Sequence, residues 1–234
     1  MRLNKYLSHS GIASRRKAAE IIKRKQVTVN GEIIDHPAYE VKEDDIIKYN
    51  GKILKPEKNL VYILMNKPKN VITSLDDEKG RKTVMDLLKN KVKERIYPVG
   101  RLDYPTTGLL LLTNDGDLTK KLSHPSHNVP KVYEVTLDKK INTPDLDKIK
   151  KGFELEDGHV EVDWIKIVDE TGKILNLEIH MGKNRIVRRI FENFGYKVIK
   201  LDRIYYAGLT KKGLKRGWFR NLTEKEIIML KHFV

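Results

Sequence analysis

The sequence predicts an α+β protein: a mixed, mainly antiparallel sheet domain preceded by a small αα-β module. Three observations carry this expectation. Apolar runs of strand length recur from residue 61 onward, several separated by hairpin-length loops, with short helical patterns between them. The first fifty residues instead combine two helix patterns with β-branched segments that turn at Asn30-Gly31 and Asn50-Gly51. Between these regions lies Lys55-Pro56-Glu57-Lys58-Asn59, polar, charged and broken by proline, which reads as a linker. The expected division is residues 1–54, a linker over 55–60, and residues 61–234.

Each element has a local reason. Residues 2–10 form a short helix ended by Gly11, and Ser14 caps a second helix from Arg15 to about Lys25. Ala18, Ala19, Ile21 and Ile22 give that helix its buried side. Strand signals follow at Val27–Ile34, around the Asn30-Gly31 turn, and at Ile46–Tyr49. In the larger region they fall at Val61–Met65, Ile96–Val99, Leu109–Leu112, Val132–Leu137, Val160–Val168 and Ile174–His180, the last two flanking a Glu170-Thr171-Gly172 loop. Thr83 is read as the cap of a short helix through Leu88. Further helices are expected at Leu118–Leu122, Pro144–Lys151 and Arg185–Phe194, the last stopped by Gly195. Thr223 and Glu226 make a capping box for a C-terminal helix.

Composition narrows the function classes. The chain has no cysteine, which excludes a disulfide framework and a thiolate nucleophile. The N-terminus lacks a signal-like apolar stretch and no run approaches the length of a membrane span, so a cytoplasmic protein without a membrane partner is expected. The net charge of +15 suits a polyanion, because each cation that neutralises a phosphate releases a condensed counterion. Lysine enrichment alone could raise the charge, but the basic residues cluster. Arg2, Lys5, Arg15, Arg16, Lys17, Lys23, Arg24 and Lys25 face only Glu20 within the first 25 positions.

Three segments could carry chemistry. In Gly100-Arg-Leu-Asp-Tyr-Pro-Thr-Thr-Gly108, a lone carboxylate, Asp103, sits in a polar turn just before the apolar run Leu109–Leu112. Such an Asp is either a turn cap or a positioned nucleophile or base. Lys131-Val-Tyr-Glu-Val135 is an alternating strand bearing Tyr133, ordinary strand material or a stacking platform. In Gly182-Lys-Asn-Arg-Ile-Val-Arg-Arg-Ile-Phe191, Arg185, Arg188 and Arg189 fall at i, i+3 and i+4. They form a solvated face, or phosphate contacts with one arginine turned towards a carboxylate. The seven histidines show no metal-ligand spacing, so no metal site is expected.

Two resemblances sharpen these alternatives. Arg2-Leu-Asn-Lys-Tyr-Leu7, Gly11-Ile-Ala-Ser-Arg-Arg-Lys-Ala18 and Val27-Thr-Val-Asn-Gly31 resemble the RNA-binding module named after small-subunit ribosomal protein four. The three chemical segments, in this order, resemble the bacterial ribosomal pseudouridine synthases that carry this module. Leu155-Glu-Asp-Gly158 and Lys212-Gly-Leu-Lys-Arg-Gly-Trp218 look most like their large-subunit type B branch. Ile186 departs from the pattern, standing where relatives usually carry a polar residue.

The resemblance implies isomerisation of a uridine in ribosomal RNA to pseudouridine, without cofactor or metal. Asp103 would be the nucleophile, Tyr133 would stack on the base, and Arg188 would hold Asp103 ionised. Lys5, Arg15, Arg16, Lys17, Arg101, Arg185 and Arg189 are the expected RNA contacts, and Lys67-Pro68 looks like a support for the active-site loop. A small-subunit target and a non-catalytic RNA-binding assembly factor remain as alternatives; a monomer is expected.

Overall fold

The structure, a computed structural model, describes residues 1–232. The chain divides into two compact units, residues 1–60 with 93–95, and residues 61–92 with 96–234.

In the first unit, α1 (Leu3–His9) and α2 (Arg15–Lys23) precede four short strands, β1 (Val27–Val29), β2 (Glu32–Ile33), β3 (Ile47–Tyr49) and β4 (Lys52–Ile53), ordered β2-β1-β3-β4. Ser14 caps α2 by accepting a hydrogen bond from the Lys17 amide at 3.3 Å. Asn30 and Gly31 both take positive φ, as a tight two-residue hairpin turn requires. Leu3, Leu7, Ala18, Ile22, Val27 and Ile47 make the core, leaving Arg15, Arg16 and Lys17 exposed on the first turn of α2. That helix ends at Lys23, two residues before the expected boundary, and Lys25 takes a positive φ beyond it.

The second unit is built on a nine-stranded sheet. Its strands are β5 (Tyr62–Lys67), β6 (Tyr97–Pro98), β7 (Thr107–Thr113), β8 (Lys131–Leu137), β11 (Trp164–Ile167), β12 (Ile174–Ile179), β13 (Val198–Tyr206), β14 (Leu209–Thr210) and β15 (Phe219–Asn221). The main path runs β11-β12-β8-β13-β7-β5-β15, with β14 on β13 and β6 on β7. A separate hairpin pairs β9 (Phe153–Leu155) with β10 (Gly158–Val160). Among the described strand pairs only β7 and β13 run parallel, so the sheet is mixed and mainly antiparallel.

The central strands are apolar on both faces, which is why they read as unbroken runs. Leu110 and Leu112 of β7 meet Ile190 and Phe191 of α5 (Ile186–Asn193) and Ile149 of α4 (Thr143–Lys151). Leu109 and Leu111 face the other way, towards Leu118 and Leu122 of α3 (Gly116–Ser123) and Leu230 of α6 (Glu224–His232). Each such leucine contributes roughly 1.5–3 kcal/mol of burial. Among the described residues no helix is long and apolar enough to cross a membrane.

Four details correct the sequence reading. Residues 84–91 form turns, not a helix: Thr83 and Asp86 exchange hydrogen bonds in the manner of a capping box, but too few residues follow to propagate one. The expected strand Val160–Val168 is two pieces, the end of β10 and the separate β11. The Leu155–Gly158 motif is the turn of the β9–β10 hairpin. Strands β13 and β15, absent from the sequence reading, supply the middle and one edge of the sheet.

Candidate active site

The loop leading into β7 is fixed from several sides. Thr106 donates its amide to the Asp103 carbonyl at 3.0 Å, closing a turn, and Asn70 donates to the Tyr104 carbonyl at 2.9 Å. Thr73 clamps Leu102, donating its hydroxyl to the carbonyl at 2.8 Å and accepting from the amide at 3.2 Å. Beneath the loop, the buried side chain of Lys67 donates Nζ to the carbonyls of Thr106 (2.7 Å), Asp103 (3.1 Å) and Pro68 (3.2 Å). Burial pushes the Lys67 ammonium down to about 8, Asp103 draws it back up, and Arg216 lowers it. The loop support expected of Lys67 is thus visible as hydrogen bonds.

The Asp103 carboxylate opens onto a cavity of about 600 Å³ walled by β8, β13 and the segment before α5. A lateral row crosses the sheet here: Lys67 lies opposite Gly108, Gly108 opposite Arg203, and Arg203 opposite Tyr133. Gly108 (φ +111°) is required because an added Cβ would sit 2.3 Å from the Arg203 carbonyl oxygen. Tyr133, Arg203, Lys131 and Tyr206 all line the cavity. Lys131 donates Nζ to the carbonyls of His180 (2.7 Å) and Val129 (2.9 Å). Its ammonium is pushed down to about 8 by burial and by the charge of Arg203, against a smaller pull from Asp163. Asp103 is the only carboxylate lining the cavity among the described residues, against the cations Arg101, Lys131, Lys183, Arg185 and Arg203.

The three arginines of the α5 segment go to three environments. Arg185 precedes the helix in a left-handed conformation (φ +48°), lines the cavity and pairs with Glu192 at 3.6 Å. Arg188 is buried, donates Nη1 to the Val198 carbonyl at 2.9 Å and keeps an unpartnered Nε. It forms no ion pair with Asp103 within 4.0 Å, although their charges interact. Burial, then Arg185, lowers the Arg188 pKa, while Asp103 and Glu192 raise it. Arg189 turns away to a bidentate pair with Asp157 of the β9–β10 turn, at 2.6 and 2.8 Å. Ile186 is buried and closes part of the cavity wall.

The chain resembles known proteins over nearly its whole length. The RNA pseudouridylate synthase family matches residues 61–193, and the S4 domain matches residues 1–47. The chain belongs to the RNA pseudouridine synthase family. It is 44% identical to the ribosomal large subunit pseudouridine synthase B of Bacillus subtilis, over 98% of this chain and 95% of that protein. It is 35% identical to the dual-specificity RNA pseudouridine synthase RluF of Escherichia coli, over 98% of this chain and 78% of the other. A crystal structure of a pseudouridylate synthase superposes with a TM-score of 0.70 at 28% identity, covering 98% and 99% of the two chains.

Within this pseudouridine synthase, the structure brings Asp103, Tyr133, Arg101 and Arg185 to one cavity, with Arg188 buried in the adjoining helix. Arg15, Arg16 and Lys17 are exposed in the S4 unit, and Lys5 is partly exposed on α1. Sequence reading missed Arg203 and Tyr206, since it missed their strand, and passed over Lys131, which stands two residues from Tyr133 and so shares its face. No group of three or more metal-binding side chains is present among the described residues.

Proposed function

We propose that this enzyme isomerises a specific uridine of large-subunit ribosomal RNA to pseudouridine, with Asp103 as the nucleophile. The observation that carries the reading is a single carboxylate on a rigid loop, lining a largely apolar cavity whose other charged residues are all cations and whose walls include Tyr133 and Tyr206. Hydrolysis of a glycosidic bond ordinarily needs two carboxylates to activate and direct water. Isomerisation needs one, to attack the sugar or to open a route through a glycal while the uracil stays enclosed and turns. Tyr133 is the stacking platform for the flipped base, an interaction worth about 1–3 kcal/mol. Arg188 acts on Asp103 as a nearby buried positive charge and not through direct contact.

Residues 1–54 serve as the RNA-binding module and 55–60 as its linker, with Lys5, Arg15, Arg16 and Lys17 meeting phosphates. Arg101 and Arg185 guide RNA at the cavity. The large-subunit target rests on the identity to the Bacillus subtilis enzyme. The reading makes the protein a cytoplasmic monomer, with its RNA as the only obligate partner.

Mapping pseudouridine in the ribosomal RNA of a deletion strain tests this. One large-subunit position is expected to revert to uridine and to be restored by the wild-type gene but not by Asp103→Asn. Loss at a small-subunit position would reassign the target, and no loss at all would point to an assembly factor. Restoration by Asp103→Asn would remove the carboxylate from the mechanism.

A further inference from the structure

Arg203 is 3% exposed, lines the cavity and is matched by no carboxylate. Its Nε donates to the Leu109 carbonyl at 2.8 Å, which fixes the guanidinium, while Nη2 is buried with no hydrogen-bond partner. The guanidinium stacks over the Tyr206 ring at 4.5 Å. Register sets it opposite Tyr133, the ring read above as the base platform. Lys131, two residues from Tyr133, adds a second, half-buried cation that lines the same cavity and feels the charge of Arg203. A buried donor without an acceptor is costly, and a neighbouring cation raises the cost, unless a bound group completes the site.

We infer that Arg203, backed by Lys131, receives the uracil carbonyl oxygens and serves as the counter-charge for the uracil anion released during the reaction. This rests on the isomerase reading and adds to it a binding partner for the detached base.

The chemistry requires such a partner. When the bond between the sugar C1′ and uracil N1 breaks, its electron pair stays on the base. The sugar carbon is balanced by a bond to the Asp103 carboxylate, or by loss of the C2′ proton to it. The negative charge on uracil spreads from N1 onto O2 and O4. Re-bonding of C5 to C1′ breaks the bond to Asp103, or on the other route Asp103 returns its proton to C2′; the C5 proton is then released and N1 gains one, so no co-reactant is consumed. Donors aimed at charge that appears only during reaction act on the rate and not on ground-state affinity. A guanidinium fixed by Leu109 and Tyr206 presents its remaining donors in one plane, so each uracil carbonyl in turn comes within reach as the base rotates.

Single-turnover kinetics with the full chain and a ribosomal RNA fragment containing the mapped uridine test the assignment. At saturating RNA, Arg203→Ala is expected to lower the rate roughly 10²–10³-fold, as loss of an oxyanion donor does. Its RNA Kd is expected to stay within about twofold of wild type. Arg203→Lys should recover part of the rate, and added guanidinium ion should partly rescue the alanine variant. A weakened Kd with an unchanged rate would overturn the inference in favour of a phosphate grip. Loss of rate that guanidinium does not rescue, together with a lower melting temperature, would reduce Arg203 to a structural role. Absence of turnover by the wild-type enzyme would remove the isomerase reading and this inference with it; a normal rate in Arg203→Ala would remove this inference alone.

Discussion

Lys67 holds Asp103 by its backbone: the buried ammonium donates to the Asp103 carbonyl at 3.1 Å, leaving the carboxylate free to face the cavity. The loop is therefore positioned by a cation beneath it and not by a contact that would occupy the reactive group. Replacing Lys67 with methionine keeps the volume and removes the donors. The single-turnover rate is expected to fall by at least ~10²-fold, because a displacement of about 1 Å at the reacting group costs that much. Stability should change by about 1–3 kcal/mol, as carbonyls lose donors while a buried charge is removed. Kinetics at saturating RNA beside a urea titration separate the two effects.

Gly108 tests the packing of β7 on β13. With φ +111° and the Arg203 carbonyl 2.3 Å from any added Cβ, Gly108→Ala combines backbone strain with overpacking. A loss of roughly 2–4 kcal/mol in unfolding free energy is expected. Gly51→Ala is the control, having positive φ but nothing within 4 Å of the added atom, and should lose only about 1 kcal/mol.

Acid stability should report on Asp202. Burial alone would raise its pKa, but Arg216, Lys211 and Thr107 bond to the carboxylate and bring it down to about 2. Because the folded value is depressed below the unfolded one, the stabilisation is complete above about pH 4 and is lost as pH falls towards 2. The contribution is ~2 kcal/mol. Unfolding free energies measured from pH 5 to pH 2 should therefore drop less steeply in Asp202→Asn than in wild type.

Arg189 and Asp157 join α5 to the β9–β10 turn by two hydrogen bonds at a partly exposed site. A double-mutant cycle with Arg189→Gln and Asp157→Asn should give a small favourable coupling that shrinks as salt is added. Coupling near zero would mean the pair is dispensable for the fold.

Arg15, Arg16 and Lys17 should set the salt dependence of RNA binding. Changing all three to glutamine is expected to reduce the slope of log K against log salt by roughly 2 to 3, at about 0.7–0.9 per lost phosphate contact. The single-turnover rate at saturating RNA should not change, since these side chains lie in the S4 unit.

Local signals made much of this molecule legible. Asn30-Gly31 forms its hairpin, Thr223 and Glu226 exchange capping hydrogen bonds, and Leu109–Leu112 is a strand buried on both faces. Asp103 stood out because a polar turn abuts that strand. The failures have a physical origin in β13. Bulges between Val198 and Lys200, and again between Arg203 and Tyr205, break the two-residue alternation by which strands are read. Asp202 and Arg203 are buried because Thr107 and the Leu109 carbonyl of β7 supply partners, and those lie far off in sequence. Arg189 illustrates the same limit: spacing put it on a basic face, but only the fold reveals that Asp157 claims it.

The parallel pairing of β7 with β13 also bears on when this enzyme's cavity forms. Its partners Gly108 and Arg203 are about a hundred residues apart, and such distant pairings close late because loop entropy must be overcome first. A chain growing from the ribosome exposes the Asp103 loop well before β13 has been made. Asp103 is thus made before one wall of its pocket, and the cavity is complete only once β13 has docked and brought Leu201, Arg203 and Tyr206 to it.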